Sequence, residues 1–351
     1  MQDTSCRGSG GVPQLKKVPQ DWGIRGLIEA ASAVSLSKDQ YSTVEKERSM
    51  ASVKTWILET RPSFLLLVPV CVFAGVAVSI YEGYSFNAVY FVLAFVGALF
   101  AHISANVFNE YFDFKSGIDL NTQRTPFSGG SGILPAALLT PKQVLALAIG
   151  SLSVTILIGI YFINIYGSII VTIGLLGIFV IILYTPYLTK LTGITELAGP
   201  GLGFGLMVFG SYVTQTGTYS AAALIVSVVA GLLIAGLLLL NEFPDVEADK
   251  GAGRKHIPIV LSKKKAAIVY CLMLVLTYAL LIGAVAANVL PSLALLGLLT
   301  LPLSAKAIGV VLRNYSNTGK LIPAMGMNVQ VVLLTPLLMS TGILIWAYTL
   351  A

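Results

Sequence analysis

Two short stretches of this 351-residue chain carry side chains whose types and spacing could do chemistry. The first reads Asn109-Glu110-Tyr111-Phe112-Asp113, with Asp119 shortly after; the second reads Asn241-Glu242-Phe243-Pro244-Asp245, followed by Glu247 and Asp249. Both have the form N-E-aromatic-x-D. Carboxylate and amide oxygens are hard ligands that suit magnesium, which takes one or two carboxylates and completes its shell with water and substrate phosphates. Arg124, Lys190, Lys250, Arg254 and Lys255 follow nearby. Such cations hold diphosphate oxygens, arginine in bidentate fashion. The combination predicts a magnesium–diphosphate site.

On a helix, Asn109 and Asp113 form an i,i+4 pair, and Asn241, Asp245 and Asp249 continue the same spacing along one face. Pro244 removes a backbone donor and should loosen the helix inside the polar pocket. The Gly129–Gly132 run, GGSG, lacks the Lys-Ser/Thr and strand context of a phosphate-binding loop. It reads as a flexible lid over the diphosphate. Tyr111, Phe112, Tyr184 and Tyr187 could steady a carbocation through their ring faces. His102 and His256 read as packing and loop residues and receive no role.

The elements that must position these groups are membrane helices. Hydrophobic residues make up 56% of the chain and charged residues 11%, against about 25% charged in soluble domains. A crossing needs about 20 apolar residues. Nine segments qualify: 63–81, 86–108, 143–162, 166–184, 196–215, 220–241, 266–287, 289–311 and 325–349. None shows the alternation of a barrel strand. Lipid offers the backbone no hydrogen bonds, so the expected class is all-α, a polytopic membrane protein.

Of the 22 basic residues, nine precede the first span and only Lys306 lies within one. The rest fall in alternate connections, which predicts a cytoplasmic N-terminus, an outside C-terminus and long loops 109–142 and 242–265 on the cytoplasmic side, at the cell membrane. The net charge of +6 follows from topology and anion binding, with no nucleic-acid module in view and no obligate protein partner evident. The triplet Lys263-Lys264-Lys265 reads as an interfacial anchor. Three cysteines (Cys6, Cys71, Cys271) provide no disulfide framework. Residues 1–55 are polar and Gly/Ser-rich, with a short helix expected around 24–34 and no capacity for a core. Met50 opens a stretch that reads as a natural membrane-protein start, so residues 1–49 are expected to be a disordered extension or an over-long gene reading.

At these motifs the chain resembles the UbiA superfamily of intramembrane aromatic prenyltransferases. That family carries N-D-x-x-D after the second helix, here Asn109-Glu110-x-x-Asp113, and D-x-x-x-D after the sixth, here Asp245-x-x-x-Asp249. Glu110 stands where the family has Asp. The resemblance covers residues 52–351. Trp56 through Arg61-Pro62, the loop from Phe127 to Val144, the stretch from Tyr184 to Gly217 and Gly193-Ile194-Thr195-Glu196 resemble the menaquinone branch, the 1,4-dihydroxy-2-naphthoate polyprenyltransferases.

The resemblance implies nine transmembrane helices around a central cavity with cytoplasmic cap loops, forming one prenyltransferase domain over residues 56–351. It implies Mg²⁺-dependent transfer of a polyprenyl chain from its diphosphate to an aromatic acceptor, which for this branch is dihydroxynaphthoate and loses its carboxyl as carbon dioxide. Asn109, Asp113, Asp245 and Asp249 are assigned as metal ligands, with Glu110, Asp119 and Asn241 in reserve. Asp113, Asp245, Asp249 and Lys190 are the catalytic set; Asn109, Arg124, Tyr184, Lys250, Arg254 and Lys255 bind substrate. The lipid bilayer houses the isoprenoid. Rival readings are another acceptor, such as 4-hydroxybenzoate or glyceryl phosphate, a transporter, or a lipid-diphosphate scaffold without chemistry. Both acidic sets lie at cytoplasmic span ends rather than at the bilayer midplane, which argues against the transporter.

Overall fold

Local signals in the chain start and stop the helices. Asn87 and Ser220 each accept a hydrogen bond from the backbone N–H three residues on, and Thr140 with Gln143 forms a reciprocal capping box ahead of Pro141. Gly117, in the left-handed region at φ 78°, stops the helix that carries the first pentapeptide. The computed structural model describes residues 52–120, 122 and 125–349. The expected helix around 24–34, the proposed extension and Arg124 lie outside them.

Among the described residues the chain is helical, without strands. A short helix, α1 (Val53–Glu59), leads into the first crossing, α2 (Pro62–Tyr81), followed by α3 (Ala88–Ser116) and α4 (Pro141–Tyr166). Next come α5 (Ser168–Leu183), α6 (Leu197–Thr216) and α7 (Ala221–Asn241). The short α8 (Val246–Gly251) and α9 (Ile257–Leu261) precede α10 (Lys263–Ala286), α11 (Ser292–Asn314) and α12 (Thr318–Thr349).

Eight of these are long and apolar enough to cross a membrane, and the protein is an integral membrane protein. The fourth expected span is the shorter apolar α5, of 16 residues, or about 24 Å at 1.5 Å per residue against a hydrocarbon core of about 30 Å. Helix α3 runs longer than expected. Its 29 residues reach about 43 Å, longer than a hydrocarbon core of about 30 Å, and Asn109 and Asp113 lie in its last turns.

The helices close into a ring. Each of α2 to α6 packs against its successor, α7 packs on α6 and α10, and α12 lies against α11, α7 and α2. Helix α7 is the most buried crossing, and Leu233, Leu239 and Leu240 along it are fully enclosed. Small residues permit the closest approach: a Cβ on Gly231 would stand 2.6 Å from the Gly201 carbonyl oxygen. At that crossing Pro200 sits in a single π-helical turn, Leu197–Gly201, which opens the start of α6.

Two sequence expectations change. Asn241, Asp245 and Asp249 do not share one continuous helix: α7 ends at Asn241, residues 242–245 turn around Pro244, and Asp249 lies on α8. The proline cannot continue the hydrogen-bond ladder, so the chain bends where the acids cluster. The cavity is also not enclosed by every span. Its walls come from α2 to α7, Asp249 on α8 and the adjoining loops, while α10, α11 and α12 contribute no lining residue.

Candidate functional site

A cavity of ≈ 480 Å³ opens between α2 and α7. Its walls are apolar, with Phe204, Leu237, Ile178 and Ile234 among them, and its polar end gathers Asn109, Asp113, Asp119, Asn241, Asp245, Asp249 and Arg254. The two pentapeptides converge there because α3 and α7 both end at the same face of the ring. Tyr184 completes this end. Its ring lies against Gly199, where a Cβ would come within 2.3 Å of it.

Arg254 lies between the two acidic sets. One guanidinium nitrogen contacts Asp249 Oδ1 at 2.9 Å, and the other pairs with Asp113. The Arg254 loop is fixed by backbone pairing: the N–H of Arg254 donates to Asp249 O, and that of Lys255 to Thr189 O. Burial works against the Arg254 charge, but Asp113 and Asp249 beside it hold its pKa above the ordinary value. Asn109 donates to Asp113 Oδ2 at 3.0 Å and to Thr185 Oγ1 at 3.2 Å, while accepting from Arg61 at 3.4 Å.

Three buried oxygens at this end, Asp119 Oδ2, Asn241 Oδ1 and Asp245 Oδ1, have no hydrogen-bond partner among the described residues. Burial pushes Asp119 up to about 7, helped by the charges of Asp113 and Glu110. Burial likewise pushes Asp245 up to about 7, with Asp249 adding to it and the Ser128 hydroxyl opposing it. Unpaired hard oxygens crowded in a buried site are a donor set for a divalent cation, which stabilises their charged forms.

The GGSG segment is held against the first pentapeptide. The Ser131 N–H and hydroxyl donate to Glu110 at 2.9 and 2.8 Å. Gly130 has φ +73°, and a Cβ there would lie 3.2 Å from Asp119 Oδ1 and 3.3 Å from Glu110 Oε2. Glycine is required because the backbone is left-handed and pressed against carboxylates.

Several sequence-assigned residues lie elsewhere. Glu110 does not line the cavity; it is 1% exposed, held by Ser131 and faced by Arg61 at 3.7 Å. The longer glutamate side chain carries its carboxylate past the cavity to the lid. Lys190 lines a separate pocket of ≈ 220 Å³ with Lys115 and Thr185, and Asp113 and Arg254 form the shared wall. Lys250 and Lys255 are exposed and line neither space. Tyr187 is 63% exposed, and Tyr111 and Phe112 lie outside the main cavity. His102 lines the wall, edge-on to Phe204 at 4.8 Å.

The structure adds residues that spacing did not single out. Glu59, at the end of α1, is fully buried and receives the Ser131 hydroxyl at 3.2 Å. That hydroxyl has one proton and two acceptors, Glu59 and Glu110. Burial first, then the charge of Glu110, pushes Glu59 up to about 8. Glu196, Glu242 and His256 form a second buried group behind Asp249. The repeat of glutamate at the second position of both pentapeptides was the available signal for Glu242. The Gly193–Glu196 stretch marked Glu196 only through the family resemblance, and nothing local marked His256 as its neighbour; the two come from separate loops.

Glu59 provides a pH test. It loses its proton near 4.5 when unfolded and near 8 when folded. Below both values each state is protonated; between them only the folded state keeps the proton, so stability falls as pH rises until about 8. Glu59→Gln keeps an acceptor for Ser131 and has nothing to titrate. Its melting temperature in detergent should match wild type near pH 5 and exceed it by several degrees above pH 8. Parallel pH curves for the two proteins would rule out this assignment.

A profile of the UbiA prenyltransferase family matches residues 67–331. A Bacillus subtilis (strain 168) protein, 1,4-dihydroxy-2-naphthoate octaprenyltransferase, is 27% identical over 312 residues, which is 88% of this chain and 97% of the relative. Among solved structures, an apo UbiA homologue from Aeropyrum pernix K1 superposes with a TM-score of 0.59 at 18% identity, covering 80% of this chain and 97% of that one. A UbiA homologue from Archaeoglobus fulgidus, bound to DMAPP and Mg²⁺, has a TM-score of 0.53 at 14% identity, covering 82% of this chain and 99% of that one. At these identities the structural likeness is one of fold.

Proposed function

The chain belongs to the UbiA prenyltransferase family, and from that membership we propose that it transfers a polyprenyl chain from its diphosphate to 1,4-dihydroxy-2-naphthoate, in menaquinone biosynthesis. The observation that carries this reading is the convergence of both acidic sets and Arg254 on one end of a deep apolar cavity. The name of the B. subtilis relative supports the acceptor. The DMAPP and Mg²⁺ held by the A. fulgidus homologue support the diphosphate and the ion.

Asp113, Asp245 and Asp249 are the principal ligands for Mg²⁺ in this proposal, with Asn109, Asn241 and Asp119 beside them. Glu110 is assigned instead to holding the lid. Bound Mg²⁺ supplies positive charge to diphosphate oxygens as the allylic C–O bond breaks. Asp113 and Asp249 would hold the cation, and Arg254, which pairs with both here, would then be available to grip diphosphate oxygens with its fork. The Phe127–Gly132 segment, anchored on Glu110 through Ser131, keeps water from the allylic carbocation. Tyr184 presents its ring at the polar end, and the apolar walls hold the isoprenoid.

The electron pair of the C–O bond leaves with diphosphate. The acceptor ring carbon bearing the carboxyl group forms the new C–C bond, and that carboxyl departs as carbon dioxide. Lys190, in the adjoining pocket, is placed to meet diphosphate as it leaves. Lys250 and Lys255 serve the cytoplasmic surface. The basic connections support a cytoplasmic active site at the cell membrane.

The test is a membrane-fraction assay with a labelled long-chain prenyl diphosphate and, in parallel, dihydroxynaphthoate, 4-hydroxybenzoate and glyceryl phosphate. Product with dihydroxynaphthoate alone, lost on chelation, is the expected result. Product with another acceptor alone would overturn the acceptor and keep the mechanism.

A further inference from the structure

Beside the diphosphate end, three loops bring together Glu196 at the start of α6, Glu242 after α7 and His256 before α9; Glu242 and His256 reach the cavity wall and Glu196 does not. Their exposures are 0%, 4% and 2%. One ligand atom from each lies within 4.8 Å of the others. His256 Nδ1 pairs with Glu242, and the Ile257 N–H donates to Glu196 Oε1 at 2.8 Å. Glu196 Oε2 and His256 Nε2 have no hydrogen-bond partner, the latter standing 3.9 Å from Asp249 Oδ2. The nearest cation, Arg254, is committed to Asp113 and Asp249. Among the described residues, two buried carboxyls beside an imidazole therefore have no fixed positive charge of their own.

We propose that Glu196, Glu242 and His256 form a second metal site, for a zinc-class divalent transition ion, separate from the magnesium–diphosphate site. An imidazole nitrogen with two carboxylate oxygens suits zinc and its neighbours, whereas magnesium favours oxygen alone and keeps its waters. Two carboxylates and a divalent ion sum to zero charge, which a buried site tolerates. Ligand atoms on tetrahedral zinc lie roughly 3.3 Å apart, so side-chain rotation alone closes the group.

The ion would fasten the start of α6 to the end of α7 and to the loop that carries Arg254. It is a staple beside the reacting groups, and its existence does not depend on which acceptor the enzyme uses.

The experiment uses the full chain in detergent, stripped with chelator, then equilibrated with Zn²⁺ in excess Mg²⁺ and analysed for bound metal. Wild type and Asp245→Ala should each retain one zinc per chain. Glu196→Gln and His256→Ala should bind it more than ~10–100-fold more weakly, the range for disturbing even an outer-shell partner. Because a variant could fail to fold, Co²⁺ is also titrated into wild type, where a tetrahedral nitrogen–oxygen visible spectrum is expected. No retained zinc and no such spectrum in wild type would overturn the proposal. Zinc lost in Asp245→Ala but kept in folded Glu196→Gln would overturn it too, by placing the ion in the diphosphate site.

Discussion

Asp113→Ala and Asp245→Ala should each lower the prenyl-transfer rate at least ~10³-fold, the upper range for removing one group that stabilises developing charge. The two aspartates come from different halves of the chain and face the same end of one cavity. Losing either leaves the cation short of ligands on one side and the departing diphosphate poorly neutralised. Groups that act as a unit are strongly non-additive, so the double variant should be about as slow as the slower single one. Initial rates in membranes containing equal amounts of folded enzyme measure this. Either single variant within tenfold of wild type would remove that residue from the machinery. Glu110→Gln tests the contrast, because Glu110 holds Ser131 rather than facing the cavity. Its effect should be milder and appear mainly in KM, through a loosened lid.

The largest effect on stability is expected at Gly342, far from the chemistry. A Cβ there would lie 1.9 Å from the Leu293 carbonyl oxygen and 2.6 Å from its carbon. Both obstructing atoms are backbone, so α11 and α12 must separate to admit a methyl group. Overpacking in a close-packed interior costs typically 1–3 kcal/mol and occasionally more; with backbone on both sides, Gly342→Ala should cost about 3 kcal/mol or more. Gly283 on α10 is the control. Nothing lies within 4 Å of its Cβ position, so alanine there should be neutral or gain about 0.5–1 kcal/mol from helix propensity. Melting temperature and yield in detergent report both. Neither α11 nor α12 lines the cavity, so the surviving folded Gly342→Ala protein should keep its turnover per molecule. A melting temperature equal to wild type would mean the two helices pack less closely than described.

These expectations differ in how far the chain alone announced them. Helical crossings are legible because hydrocarbon imposes a long apolar run and leaves the backbone no partners but its own. The pairing of Asn109 with Asp113 is legible because four residues make about one helical turn. The convergence of the two pentapeptides could be anticipated because each ends an even-numbered span on the same side.

What the tertiary structure decided lies where periodicity stops. After Asn241 the chain turns around Pro244, and the direction of Asp245 and Asp249 depends on what the turn packs against. Among several loop cations, Arg254 rather than Lys190, Lys250 or Lys255 meets the carboxylates, because backbone pairing with Thr189 aims the loop. Glu110 resembles its aspartate neighbour in charge, yet one more methylene and the position of Ser131 turn it to the lid. Glu59, Glu196 and His256 are distant in sequence from the groups they face, and only the closing of the helix ring brings them there. A sequence states which side chains can ionise; the burial and neighbours that set what those ions do are properties of the packed chain.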